Sequence, residues 1–182
     1  MSFKSGFVTI IGNPNVGKSS LFNAILNFEL SVVTHKSQTT RDSIKGILNT
    51  DNFQLVLSDT PGHVESSYLL HDKMNINIYS SLEGSDLILY VTDVKEKVVN
   101  QKLIDTVLKL QIPIIYLVNK SDLDKNYKLL KNDFYKDMFL ISSNNKKDID
   151  KILTRIVKYL PEHPAFYSKE ELTDKNERFI VS

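Results

Sequence analysis

The chain has 182 residues, of which 41% are hydrophobic, and a formal net charge of +1. This composition suits one globular domain and gives no electrostatic reason to expect a nucleic acid or an anionic membrane as partner. The absence of cysteine excludes a disulfide framework, a thiolate metal site and a cysteine nucleophile. The apolar runs are too short for a membrane span, and the first strand leaves no room for a signal peptide. We therefore expect a cytoplasmic monomer with at most peripheral membrane contact.

Apolar runs alternate with helical patterns along the chain. The predicted strands cover residues 6–11, 43–48, 53–58, 86–91, 112–118 and 137–142. The predicted helices cover residues 19–27, 70–83, 98–110, 125–131 and 147–160. Most strand runs are continuously apolar, as in strands buried on both faces, whereas the turn NTDN makes 43–48 an antiparallel edge strand. The pattern predicts an α/β domain with a mostly parallel six-stranded sheet, one antiparallel edge strand and helices on both faces.

The sequence GNPNVGKS, residues 12–19, lies between the first predicted strand and the first predicted helix. Its Gly-x-x-x-x-Gly-Lys-Ser pattern is typical of a loop that cradles phosphate, and its context makes a chance match in an ordinary turn the weaker interpretation. The two glycines allow the backbone to wrap around an anion, Lys18 adds charge at the β- and γ-phosphates, and Ser19 offers Mg²⁺ a hydroxyl ligand. The predicted phosphate-binding residues are Gly12, Asn13, Pro14, Asn15, Val16, Gly17, Lys18, Ser19 and Ser20.

The sequence DTPG follows the third predicted strand. Alone it is an ordinary turn. Beside a phosphate loop, Asp59 is in the place of a carboxylate that holds Mg²⁺ through water, and Gly62 can turn its N–H toward a γ-phosphate. We therefore add Asp59, Thr60, Pro61 and Gly62 to the predicted nucleotide site.

The sequence NKSD follows the fifth predicted strand and supplies Asn119, Lys120 and Asp122. The Asp122 carboxylate can accept hydrogen bonds from N1–H and the exocyclic amine of guanine. Adenine offers neither donor, so it would leave the carboxylate unpaired at a cost of roughly 1–3 kcal/mol. Lys120 can pack its stem along the base. A polar turn with no ligand is the alternative, which the two preceding motifs disfavour.

Two further segments complete the predicted site. In QTTRD, Thr40 is the chosen Mg²⁺ ligand, a mobile hydroxyl that closes on the metal, and Thr39 is the alternative. In SSNN, the backbone N–H groups of Ser142, Ser143 and Asn144 are placed to meet the guanine O6. The predicted metal ligands are thus Ser19, Thr40 and Asp59.

In this order, GNPNVGKS, QTTRD, DTPG and NKSD resemble the translation-factor-like GTPases, and most closely the Era family. The resemblance implies a Ras-like P-loop GTPase domain over residues 1–160, with GTP or GDP and Mg²⁺ as ligands. It also implies GTP hydrolysis and, in the intact form, a role in small-subunit ribosome assembly and 16S rRNA maturation. Residues 161–182 resemble the linker toward the family's RNA-binding KH domain. No Gly-x-x-Gly clamp of the KH type is present, so we expect little RNA binding from this chain.

The resemblance also bears on hydrolysis. Asn15 matches an asparagine with which relatives hold an activating K⁺, so the predicted catalytic residues are Asn15, Lys18, Thr40 and Gly62. His63 stands where the family usually has an apolar residue; a catalytic imidazole is possible in principle, and a side chain that points away is the favoured interpretation. Two alternatives stay open: a tRNA-modification or double-domain ribosome-assembly GTPase, and a nucleotide-dependent binding module with negligible turnover.

Overall fold

A seven-stranded sheet organises the residues that the computed structural model describes, which are 2–27, 32–34, 44–59, 82, 84–95, 105, 107–124, 126–127 and 137–168. The strands are β1 (Lys4–Gly12), β2 (Val32–Thr34), β3 (Ile44–Asn49), β4 (Phe53–Asp59), β5 (Leu87–Asp93), β6 (Ile114–Asn119) and β7 (Met138–Leu140). Their order across the sheet is β2-β3-β4-β1-β5-β6-β7. The helices whose bounds lie within the described residues are α1 (Lys18–Leu26), a 3₁₀ turn (Ser121–Leu123) and α2 (Lys146–Tyr159).

The directions of the strands confirm the predicted class. β1 pairs in parallel with β4 and β5, β5 with β6, and β6 with β7. β3 is antiparallel to both β4 and β2, so of the seven strands in the described part of the chain it alone runs opposite to the others.

Two details of the sheet prediction were wrong. Among the described residues the sheet has seven strands and not six, and β3 lies second from the edge because β2 pairs with its outer side. β2 has only three residues, too few for a periodic pattern, and it forms because the outer N–H and C=O groups of β3 need partners.

Two helices pack on one face of the sheet. α1 comes so close to β3 that a β-carbon at Gly46 would lie 2.3 Å from Leu26 Cδ1. α2 begins after Asn145, whose Oδ1 accepts a hydrogen bond from Lys147 N at 3.0 Å, and this helix buries one apolar face. Each large apolar side chain buried in this way contributes about 1.5–3 kcal/mol relative to exposure. The α2 residues buried in this core are Ile149, Ile152, Leu153 and Ile156.

The other face carries a second apolar cluster, in which Tyr90 and Tyr116 pack with ring centroids 5.7 Å apart. Leu82 and Val107 join it from helical residues. They belong to the predicted helices 70–83 and 98–110, most of whose residues lie outside the described part, as do most of those of 125–131. In the part of the chain that the structure describes, no helix has the length and apolarity to cross a membrane.

The sheet has two functionally different edges. We call the edge where β1, β4, β5 and β6 end the carboxyl edge, and the edge where they begin the amino edge. Residues 161–168 lie against the amino edge, since Ser5 N donates to Pro161 O at 3.1 Å and His163 N donates to Phe3 O at 3.3 Å. The carboxyl edge is therefore free of this segment.

Candidate nucleotide-binding site

The P-loop, residues 12–19, leaves β1 at the carboxyl edge through three residues with positive φ: Gly12 at 150°, Asn15 at 64° and Gly17 at 95°. A β-carbon at Gly12 would lie 2.1 Å from Val91 O, so only glycine allows this approach to β5. The Lys18 side chain is buried, and its Nζ donates to Asn13 O at 2.7 Å. The loop therefore folds around the ammonium group at the start of α1, which is the geometry of a phosphate cradle.

Asn119 ties three loops together from the end of β6. The residue is buried, and its Nδ2 donates to Val16 O at 3.1 Å. Its Oδ1 accepts from Ser143 N at 3.1 Å and from Ser143 Oγ at 2.9 Å. A β-carbon at Gly17 would lie 2.3 Å from Asn119 Nδ2, so the second glycine of the motif makes room for this amide. Asn119 thus holds the P-loop against the turns that follow β6 and β7.

Lys120 and Asp122 lie on the turn after β6. Lys120 has a φ of 61°, and its Nζ donates to Asn15 O and to Asp93 Oδ2, the latter at 2.8 Å. The 3₁₀ turn then exposes Asp122, whose Oδ1 accepts from Ser142 Oγ at 2.6 Å. A carboxylate accepts several hydrogen bonds, so this contact aims Asp122 and still leaves it acceptor capacity for a ligand.

The N–H groups of the loop after β7 differ in how firmly they are held. Ser142 N donates to Asp148 Oδ2 at 3.0 Å, and Ser143 N donates to Asn119. Asn144 N makes the longest bond of the three, 3.3 Å to Ser142 Oγ. Of the three predicted donors to guanine O6, the N–H of Asn144 therefore loses the weakest hydrogen bond when it turns to a ligand.

The structure brings most of the predicted residues to the carboxyl edge. At this edge lie the P-loop, Ser20, Asn119, Lys120, Asp122 and the loop 142–144. The backbone of Asp59 ends β4 at the same edge. Ser19 is exposed in the first turn of α1, and its hydroxyl together with phosphate oxygens is the kind of hard oxygen donor set that Mg²⁺ takes. The Asp59 side chain and six other predicted or considered residues lie outside the described part: Thr39, Thr40, Thr60, Pro61, Gly62 and His63.

Two contributors, Asp93 and Asp148, were missed in the sequence, and a third, Ser142, was predicted only as a backbone N–H donor. Asp93 binds Lys120, Ser142 orients Asp122 through its hydroxyl, and Asp148 holds Ser142 N. Asp93 ends an apolar strand, as Asp59 and Asn119 do, so the same strand-end rule would have found it. The contacts of Ser142 and Asp148 depend on how α2 docks, which no local pattern reports.

Comparison with known proteins agrees with this geometry. A family model described as "50S ribosome-binding GTPase" matches residues 7–120, more than half of the chain. Over 99% of its length the chain is 38% identical to GTPase Era of Clostridium tetani, and over 98% it is 40% identical to GTPase Era of Clostridium kluyveri. It spans 64% of the length of each of these curated relatives.

Solved structures show the same fold. Era in complex with MgGDPNP and nucleotides 1506–1542 of 16S ribosomal RNA is 30% identical with a TM-score of 0.67, covering 92% of this chain and 60% of that one. A variant of Aquifex aeolicus Era bound to GDP and AlF₄⁻ has the same identity and TM-score, covering 91% and 60%. The FeoB G-domain of Methanococcus jannaschii, at 22% identity, shares the fold with a TM-score of 0.63, covering 86% and 98%. From the P-loop geometry and these matches together, the chain belongs to the 50S ribosome-binding GTPase family and is similar to GTPase Era.

Proposed function

We propose that the chain binds and hydrolyses GTP as a molecular switch, and that its intact form assists small ribosomal subunit assembly and 16S rRNA maturation. One observation carries the nucleotide part. The P-loop around Lys18 and the carboxylate of Asp122 lie at one edge of the sheet, joined by Asn119, which bonds both Val16 and Ser143. This arrangement supports a single site for phosphate chemistry and base recognition.

Base recognition is proposed to depend on Asp122. Ser142 Oγ donates to Oδ1, so the carboxylate is already oriented before a base arrives. It accepts from N1–H and the amine of guanine, and the N–H of Asn144 donates to O6. Adenine offers the carboxylate neither of these donors, so ATP binding should be weaker than GTP binding by roughly 1–3 kcal/mol or more.

Phosphate binding is proposed to depend on the P-loop N–H groups, the N-terminus of α1 and Lys18. Mg²⁺, when bound, neutralises charge that develops on the phosphate oxygens. Ser19 holds it directly in this proposal, with Asp59 acting through water, Thr40 as the second hydroxyl, and Gly62 donating its N–H to the γ-phosphate. These last three assignments depend on the sequence motifs alone.

Phosphate release under multiple turnover tests the enzyme proposal. With GTP and Mg²⁺ we expect continuous release, strongly reduced with ATP or on chelation of the metal. Lys18→Ala should lower the rate at least about 100-fold, because it removes a charge that the transition state needs. Lys147→Ala is the matched control, since it removes an exposed lysine from the first turn of α2. Tight GTP binding without release would instead identify a nucleotide-dependent binding module.

Potassium activation is a finer part of the proposal. Asn15 has a left-handed backbone and its carbonyl accepts from Lys120, which fixes its main chain at the rim of the P-loop. Its side-chain oxygen is a hard ligand that suits K⁺. We expect faster hydrolysis in KCl than in NaCl, no such difference in Asn15→Ala, and most of the rate retained in His63→Ala. Equal rates in the two salts contradict the potassium proposal, and collapse of the His63→Ala rate assigns catalysis to that histidine.

The ribosomal part of the proposal is supported by the Era structure that contains a 16S rRNA segment. We assign residues 1–160 to the nucleotide domain and residues 161–182 to a segment that packs on the amino edge over 161–168 and then leads toward a KH domain in an intact, cytoplasmic, monomeric protein. With a net charge of +1, this chain alone should bind nucleotides 1506–1542 weakly and no better than a scrambled RNA. Fluorescence anisotropy at low and high salt measures this, and a salt-resistant, selective complex would contradict it.

A further inference from the structure

Asp93, the last residue of β5, has no role in the function proposed above. It lies in register with Asn119, the last residue of β6, and Val94 N donates to Asn119 O at 3.2 Å. Its carboxylate is therefore beside the turn that leads from Asn119 into Lys120. The Asp93 side chain is only 12% exposed, so it belongs to the wall of the site and not to the open surface.

Hydrogen bonds orient this carboxylate. Oδ1 accepts from Lys95 N at 2.9 Å, and Oδ2 accepts from Lys120 Nζ at 2.8 Å. The bond from Lys95 comes from the backbone two residues further on, so it holds the carboxylate whether or not Lys120 is in place. Asp93 therefore presents a fixed acceptor to a long side chain that has four rotatable bonds.

The side chain of Lys120 crosses the P-loop. A β-carbon at Gly17 would lie 3.8 Å from Lys120 Cε, and Nζ reaches Asn15 O. The side chain is 31% exposed, so solvent competes for the ammonium group. Without the Asp93 carboxylate, no charged acceptor among these contacts would hold the lysine over the loop, and its rotamer freedom would return.

We propose that Asp93 is a positioning residue that holds Lys120 across the P-loop and so prolongs the lifetime of bound guanine nucleotide. This inference rests on the proposed guanine-nucleotide binding and deepens it. Asp93 acts through Lys120 and not on the ligand. Its loss therefore raises the dissociation rate, because the lysine that covers the base is no longer ordered in advance.

The test is the dissociation rate of a fluorescent GDP analogue from the whole chain. Asp93→Asn keeps the shape and an oxygen for Lys95 N but removes the charge, and we expect dissociation about three- to tenfold faster. Asp124→Asn is the matched control, because Asp124 Oδ1 likewise accepts from a backbone N–H two residues on, that of Asn126, at 3.0 Å. It should leave the rate unchanged. Asp93→Glu, which keeps the charge on a longer stem, should give an intermediate rate and a thermal midpoint near wild type.

A double-mutant cycle separates a positioning role from a general structural one. In the Lys120→Gln background, Asp93→Asn should change the dissociation rate less than about twofold, because the partner is already gone. An equal acceleration in both backgrounds, or a wild-type rate in Asp93→Asn, would overturn the inference while nucleotide binding stands. Failure of the wild-type chain to bind the GDP analogue would overturn both this inference and the proposed function.

Discussion

Polar side chains at the two edges of the sheet differ in what completes their hydrogen bonds. At the carboxyl edge, Asp122 is exposed and held by one hydroxyl, that of Ser142. At the amino edge, Gln54 is fully buried and bonds to the backbone of residues 166–167. The Asp122 carboxylate at the carboxyl edge can still accept hydrogen bonds from a ligand, whereas the Gln54 amide at the amino edge is hydrogen-bonded to the chain itself.

The side-chain amide of Gln54 hydrogen-bonds to the backbone of residues 166–167 much as a neighbouring strand would. Its Oε1 accepts from Phe166 N at 2.8 Å and from Tyr167 N at 3.0 Å, and its Nε2 donates to Tyr167 O at 2.8 Å. Aromatic packing adds to this, since the rings of Phe166 and Phe7 have centroids 4.6 Å apart. Because these groups are buried, removing one partner leaves others unsatisfied. Substitutions at this edge should therefore cost stability, and those at the carboxyl edge should cost binding.

The largest expected effect is at the carboxyl edge, in Asp122→Asn. The new amide still accepts from Ser142 but cannot accept from both guanine donors, so GTP affinity should fall about 100-fold or more. The affinity for xanthosine triphosphate should rise, because its C2 oxygen can accept a hydrogen bond from the new amide. Titration calorimetry measures the affinity of wild type and variant for each nucleotide. The thermal midpoint of the variant without nucleotide should stay near that of wild type. An unchanged preference for GTP would remove Asp122 from the base site.

The next effect is at the amino edge, in Gln54→Ala. Four hydrogen bonds are lost, one to Asn49 Oδ1 and three to the backbone of Phe166 and Tyr167, so the free energy of unfolding should fall by about 2–4 kcal/mol. Gln111→Ala, at an exposed glutamine, should cost little. Denaturant titration gives the free energies. GTP affinity should be unchanged in both variants, and a loss of affinity in Gln54→Ala alone would show that the two edges are coupled.

The same contrast explains what could be predicted from the sequence. The P-loop was predictable because Gly12, Gly17 and Lys18 encode ligand chemistry within eight residues, and buried strands were predictable from continuous apolar runs. The anchoring of residues 166–167 was not, because Gln54 lies 112 positions before Phe166 and a buried amide has no local signature. The sequence predicts a linker over 161–182, and the described part of that segment, 161–168, contacts the amino edge.

The amino edge carries a second polar cluster, around Asp137, whose contribution to stability depends on pH. Asp137, just before β7, accepts from Arg155 Nη2 at 2.5 Å and from the Tyr159 hydroxyl, joining β7 to the last turns of α2. Burial by itself raises the pKa of Asp137, but the hydrogen bonds from Arg155 and Tyr159, with the charge of Arg155, outweigh it and the pKa is lowered. The hydrogen bond to Asp137 and then burial raise the pKa of Tyr159.

The smallest expected effect is in Asp137→Asn, and its sign depends on pH. Because the folded pKa of Asp137 is depressed, its contribution to stability is present above the unfolded value near 4 and is lost as pH falls through the folded value. At pH 7 the variant should melt on the order of 2 °C below wild type, since the carboxylate no longer meets Arg155. The two midpoints should approach each other as the pH falls below about 4 and meet once it has passed the depressed folded pKa of Asp137, because the wild-type carboxyl is then protonated and resembles the amide. The raised pKa of Tyr159 gives the opposite pH dependence above about pH 10. There the phenol ionises first in the unfolded state, so wild type loses stability as pH rises, and the variant, which lacks the Asp137 carboxylate, loses less. Asp124→Asn should follow wild type across the whole range, and a constant gap between wild type and Asp137→Asn at every pH would mean that shape and not charge holds β7 to α2.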